Sequence, residues 1–161
     1  MKKLIFVLLA VVFCAACEKE EDKFTMPEDD LVGTYWTRAR LIYSVVNSNG
    51  EKHTYDTDKD LIDGLGSDYW YFADNNRVIV YYNAIYPPVY RYAETTYQYD
   101  LLQKKLTVGE LQYDLLQFTP KQFVYTYVGP DEVENTLYFR PFTPSEKWFE
   151  EFKDATRVEY K

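Results

Sequence analysis

Turn signals punctuate this chain at short intervals, and they constrain its fold more than any other feature. Asn47-Ser48-Asn49-Gly50, Asp74-Asn75-Asn76, Pro87-Pro88, Gly109, Thr119-Pro120 and Gly129-Pro130-Asp131 each interrupt the backbone pattern. Asparagine and glycine tolerate positive φ and proline lacks a ladder donor, so these residues sit between strands. The intervening segments are Leu31 to Tyr43, Glu51 to Thr57, Asp68 to Ala73, Arg77 to Tyr82, Val89 to Asp100 with a break near Glu94, Lys105 to Glu110, Tyr113 to Thr119, Gln122 to Gly129 and Val133 to Phe142. Tyrosine supplies 17 of the 161 residues, beside 10 Phe and 3 Trp, and aromatic enrichment favours strands. The elements predict an all-β fold, an eight- to ten-stranded antiparallel up-and-down barrel or, from the same strands, a sandwich. Leu61, Ile62 and Leu65 have one-face helical spacing between Asp58 and Gly66, which predicts a single helical turn over the barrel mouth.

The chain closes on a different pattern. Thr143-Pro144-Ser145-Glu146 reads as an N-cap, a proline at the first helical position and a capping glutamate. Trp148, Phe149, Phe152 and Ala155 then share one face, with Lys147, Glu150, Glu151 and Asp154 turned away. One C-terminal amphipathic helix near 143–155, laid on the outside of the barrel, is expected.

Residues 1–16 carry Met-Lys-Lys, an apolar run from Leu4 to Phe13 and small residues before a cut, the composition of a secretory signal peptide. The run is shorter than the roughly 20 residues a spanning helix needs. Ala15-Ala16-Cys17 resembles a lipoprotein lipobox, with Cys14 where leucine is usual. The resemblance implies cleavage before Cys17, lipidation of its thiol and acylation of its amine, and hence an outer-membrane, lipid-anchored protein. Several acyl chains anchor stably, since each buried methylene contributes about 0.8 kcal/mol. Residues 17–30 read as an acidic tether. Glu18-Lys19-Glu20-Glu21-Asp22-Lys23 resembles the acidic signals that send some Gram-negative lipoproteins to the cell surface, and reads equally as a plain linker. Residues 31–161 form the barrel domain. With Cys14 removed and Cys17 lipidated no cysteine remains, so this domain relies on core burial alone.

Strict alternation along Leu31 to Tyr43 places Leu31, Gly33, Tyr35, Thr37, Ala39, Leu41 and Tyr43 inward, with Val32, Thr34, Trp36, Arg38, Arg40 and Ile42 outward. Leu31-Val32-Gly33-Thr34-Tyr35 resembles the Leu-x-Gly-Thr-Trp opening of lipocalin-like domains in small bacterial envelope lipoproteins. Tyr35 stands where that family has tryptophan, and Trp36 comes one residue late. The strands and closing helix extend the resemblance to about residue 155. It implies an inward Tyr35, and an arginine near the last strand, Arg140, stacked on the first-strand tryptophan, Trp36.

The net charge of −8 argues against nucleic acid, which needs a basic footprint. His53 is the single histidine and sits beside a turn without a nucleophile motif, and zinc ligands are nearly absent. Asp56-Thr57-Asp58-Lys59-Asp60 imitates a calcium loop, but Leu61 replaces the required glycine and Ser67 the closing glutamate. No catalytic residue, metal site or cofactor is therefore assigned, and a non-enzyme is expected. The aromatic rows remain. Tyr35, Tyr97, Tyr99, Phe123, Tyr125 and Tyr127, with Leu106 and Val108, fall on inward faces, opposite polar sets such as Gln98 with Asp100 and Gln122 with Thr126. These aromatic residues are the candidate ligand-binding set, for a small apolar or amphipathic molecule. The same rings equally fill the interior of a small barrel. The alternative function is then a non-catalytic accessory or assembly lipoprotein with an envelope protein as partner, or a glycan-binding surface protein. Tyr90 and Tyr92, outward if Arg91 points in, would instead mark a protein-binding surface.

Overall fold

A computed structural model describes residues 23–27, 30–59, 66–84, 88–129 and 132–160. The leader, Cys17 and the helical turn expected around Leu61 to Leu65 lie outside the described residues. Ten strands appear among them, β1 (Tyr35–Val46), β2 (Lys52–Asp56), β3 (Ser67–Ala73), β4 (Arg77–Ala84), β5 (Val89–Asp100), β6 (Lys105–Val108), β7 (Leu111–Thr119), β8 (Gln122–Val128), β9 (Glu134–Phe142) and β10 (Thr156–Arg157). A helix, α1 (Glu146–Phe152), falls between the last two. Turn signals within the described residues fall between strands. Gly50 at φ +80° closes the β1–β2 hairpin, and Asn75 and Asn76 both adopt φ +55° between β3 and β4.

β1 pairs with β3 on one side and β9 on the other, and the antiparallel ladder β3-β4-β5-β6-β7-β8-β9 closes the circle. The barrel thus has eight antiparallel strands, with β2 a hairpin off β1 and β10 a short parallel addition to β5. β5 is not broken at Glu94. It runs unbroken and changes neighbour, pairing with β4 up to Thr96 and with β6 from Tyr97. The packed chain begins before Leu31, because Phe24 bridges Phe118 and Met26 is buried in the core. With Leu31 these residues close one end of the barrel.

The facing of β1 differs from strict alternation. Leu31 to Gly33 form a turn, Gly33 at φ +82°, and the strand starts only at Tyr35. Trp36, 1 % exposed, points into the core, and its indole N–H donates to Thr34 Oγ1 at 2.9 Å. Tyr35 points outward and stacks on Tyr71 with ring centres 4.3 Å apart. The register against β9 then slips between Arg38 and Arg40. This bulge puts two successive residues, Ala39 and Arg40, on the outer side, so Leu41 and Tyr43 do face in as expected while Tyr35 and Thr37 do not. Arg140 is exposed and does not meet Trp36. The cation over a ring here is instead Arg40, 5.0 Å from the centre of Tyr138.

Below the bulge the interior is solid. Phe123 and Phe139 stack at 4.6 Å and 4°, Trp36 packs on Phe123 at 5.0 Å, and Trp70 lies within 6 Å of Phe123, Tyr125 and Phe139. Tyr97 meets Phe72 edge-on and Tyr99 packs on Phe118 in the same region.

α1 is shorter than 143–155. Its N-cap is Ser145, whose hydroxyl accepts from the Trp148 N–H at 3.2 Å, so Thr143 and Pro144 belong to the approach. It stops at Phe152 because the following residues join β5 as β10. Trp148 meets Tyr35, Tyr69, Tyr81 and Phe142 edge-on, and Phe152 meets Tyr69, Tyr81 and Tyr90. Those tyrosines are the outward residues of β1, β3, β4 and β5, so outer-face aromatics serve helix docking. Replacing a buried aromatic by alanine costs about 3–5 kcal/mol. Trp148→Ala or Phe152→Ala is expected to lower Tm by roughly 10 °C. Phe149→Ala, at a ring 51 % exposed, is expected to cost about 1 kcal/mol or less. Equal effects at Trp148 and Phe149 would contradict this docking.

Candidate functional site at the barrel mouth

Alternation carries the inner face of each strand from the packed floor to the opposite, open end. On β3 the inward series is Phe72, Trp70, Asp68; on β4 it is Val78, Val80, Tyr82; on β8 it is Phe123, Tyr125, Tyr127. β1 adds Arg38 and Leu41, β7 adds Tyr113 and β9 adds Leu137. All of these except Phe72, Val78 and Phe123, which lie beneath, join Tyr160 in lining a cavity of about 500 Å³ at the mouth, within the range of small-molecule sites. Tyr113 and Tyr125 form its floor with ring centres 4.6 Å apart. Tyr127, 37 % exposed, stands at the rim and meets Tyr113 edge-on at 6.2 Å.

One ion pair sits among the rings. Arg38 Nη1 donates to Asp68 Oδ2 at 2.7 Å, and Nη2 donates to the Gly66 carbonyl. Burial pushes the Asp68 carboxyl above its usual range, and the Arg38 charge offsets only part of that. The phenols of Tyr82, Tyr113, Tyr125, Tyr127 and Tyr160 are all pushed up as well, in each case first by burial. Asp68 adds to the shift at Tyr82, Tyr125 and Tyr127.

The C-terminal tail completes the wall. Thr156 and Arg157 pair with Arg91 and Tyr92 of β5, and the Val158 N–H donates to the Tyr92 carbonyl at 2.8 Å. The chain then crosses the gap where β5 leaves β4 for β6, and the Tyr160 and Tyr113 hydroxyls meet at 2.8 Å. Gly109, at φ +59°, leaves room for this crossing, since a Cβ there would lie 3.0 Å from Thr95 Oγ1 and 3.6 Å from Tyr160 Cδ1. A groove of about 670 Å³ runs outside along the same tail. Glu94, Glu110 and Glu159 line it, Glu94 is already held by Arg77 and Arg157, and Tyr160 is the one ring among its described lining residues.

Of the six aromatic candidates, Tyr125 and Tyr127 line the cavity. Phe123 lies beneath it, and Tyr97 and Tyr99 are deeper still, in the packed end. Tyr35 is outside the barrel under α1. It was expected inward because alternation was counted through a turn and a bulge. Arg38, Asp68, Tyr82, Tyr113 and Tyr160 were missed. The first four share parity with inward neighbours on their own strands, Arg38 with Trp36 and Asp68 with Trp70, and that was the available signal. Nothing local announces Tyr160. His53 is an exposed β2 residue beside Glu51. In the calcium-like loop, Asp56 is held bidentately by Arg40, and this guanidinium keeps its carboxyl well below the usual range. No family model, no curated protein and no solved structure matches the chain.

The buried phenols set a pH dependence. Unfolded tyrosines ionise near pH 10, and the folded mouth tyrosines ionise higher. Their contribution to stability is whole below about pH 10 and is lost as pH rises toward the folded values. Tyr81 under α1, pushed up to about 12, follows the same rule. Absorbance titration is expected to show the buried set ionising above pH 10 and only together with unfolding. Reversible titration of all 17 tyrosines near pH 10 with the fold intact would contradict the packing described.

Proposed function

We propose that this chain is a lipid-anchored protein of the outer envelope, lipocalin-like in more than fold, that binds a small amphipathic molecule in the mouth of its barrel. The mouth cavity carries the reading. Its rings offer apolar faces, while the Tyr82, Tyr125 and Tyr127 hydroxyls accept or donate no hydrogen bond to the described residues and remain available to a ligand. The Arg38–Asp68 pair supplies orientation. The leader and Cys17 support the anchoring.

A second reading, an accessory or assembly lipoprotein with a filled barrel and an envelope-protein partner, draws on the solid lower interior. It accounts for the floor and leaves the ion pair among five tyrosines without a role. A protein-binding surface on Tyr90 and Tyr92 loses support because Tyr90 packs under α1 and Tyr92 sits beside Tyr81.

Native mass spectrometry of protein purified from its host membranes tests both halves of the proposal. The expected mass begins at Cys17 with acyl chains attached and carries a small molecule that dissociates on activation. A mass without acyl chains removes the lipoprotein reading. A lipidated protein that is always empty favours the filled-barrel alternative.

A further inference from the structure

The geometry points to an organic cation, a primary or quaternary ammonium on a small apolar body, as the class of ligand that the mouth cavity takes. This rests on reading the cavity as a ligand site. Trp70, Tyr82, Tyr113, Tyr125 and Tyr127 bring five aromatic rings to one cavity of about 500 Å³. Ring faces carry the negative part of the aromatic quadrupole, and several faces around one point hold a cation well once it is desolvated.

Two carboxylates line the cavity, and the less exposed one, Asp68, strengthens this choice; Asp114 stands toward solvent and already pairs with Lys105. Asp68 uses Oδ2 for Arg38, while Oδ1 accepts no hydrogen bond from the described residues. Arg38 is fixed at the wall by two acceptors, Asp68 and the Gly66 carbonyl. A ligand ammonium would reach the free oxygen of Asp68 without breaking that pair. An anionic ligand would have to compete with Asp68 for Arg38, and would enter a space that already disfavours negative charge. Asp68 raises the phenols of Tyr82, Tyr125 and Tyr127, as a negative charge does, beside a larger effect of burial that penalises a charge of either sign. A wholly apolar ligand would cover the ion pair and leave it desolvated without compensation.

Calorimetric titration of the full chain carrying Cys17→Ser, with three probes of one shape, tests the inference. The probes are 2-phenylethylammonium, 2-phenylethanol and 3-phenylpropionate. The ammonium is expected to bind about tenfold tighter than the alcohol, with the carboxylate weakest. Asp68→Asn should remove most of that preference by weakening the ammonium far more than the alcohol. Tyr127→Leu, at the partly exposed rim, keeps apolar bulk and removes a ring face, so it should weaken the ammonium several-fold and the alcohol less. It also serves if Asp68→Asn fails to fold because Arg38 is left unpaired. If the alcohol or the carboxylate binds as tightly as the ammonium, or the preference survives both substitutions, the inference is overturned while the cavity still stands as a ligand site. If no probe binds at about 10 mM, a weaker limit than any specific site needs, the inference also falls, and ligand retention in native mass spectrometry decides the broader reading by itself.

Discussion

One extra residue in β1 organises both faces of this barrel. The bulge at Ala39 lets the strand present Trp36 and Arg38 inward before it and Leu41 and Tyr43 inward after it. Without the slip, one half of the strand would turn its apolar side chains to solvent, because a one-residue shift moves every side chain to the opposite face. The same device sends Arg40 outward to Asp56, where the β1–β2 hairpin is clamped, and leaves Tyr35 outside for the helix. Burying an indole the size of Trp36 removes roughly 150–250 Å² from water, at about 25 cal/mol per Å². That preference is large enough to decide which of Tyr35 and Trp36 goes in.

The abundance of tyrosine follows from two separate demands. Outside, Tyr35, Tyr69, Tyr81 and Tyr90 offer ring surface to Trp148 and Phe152. Inside, phenylalanine and tryptophan dominate the closed end, and tyrosine takes over toward the mouth, as Phe123, Tyr125 and Tyr127 show along one strand. The gradient matches the change from dry core to partly hydrated cavity. The tail adds Tyr160 to the same ring of hydroxyls, at the point where β5 exchanges β4 for β6 and the wall would otherwise gape.

Much of this was legible in the residues. The hairpin turns, the strands from β3 to β9, the outer helix and the inward facing of Tyr97, Tyr99, Phe123 and Tyr125 all follow from local pattern, because alternation and turn chemistry are local. What depends on long-range pairing was not legible. The β1 bulge shows only in the register against β9, so Tyr35 and Trp36 were exchanged. The cap moved from Thr143 to Ser145 because docking of Trp148 and Phe152 sets the helical phase. Tyr97 and Tyr99 face in, yet depth along the barrel places them in the floor, and period-two patterning carries no information about depth. The Arg38–Asp68 pair joins residues thirty positions apart, and only closure of the barrel brings them together.

The account divides the interior into a packed floor that ends at Tyr125 and an unfilled mouth that begins at Tyr127. Equilibrium denaturation of Tyr125→Ala and Tyr127→Ala measures that division directly. A ring 4 % exposed among Trp70, Tyr113 and Phe139 should cost about 3–5 kcal/mol on truncation, as core aromatics do. The rim ring should cost about 1 kcal/mol or less. A Tyr125→Ala protein nearly as stable as the Tyr127→Ala protein would show that the floor is not packed there. Equally large losses at both positions would show that the mouth is core, and either result would contradict a barrel built with a solid base and a ligand-sized opening.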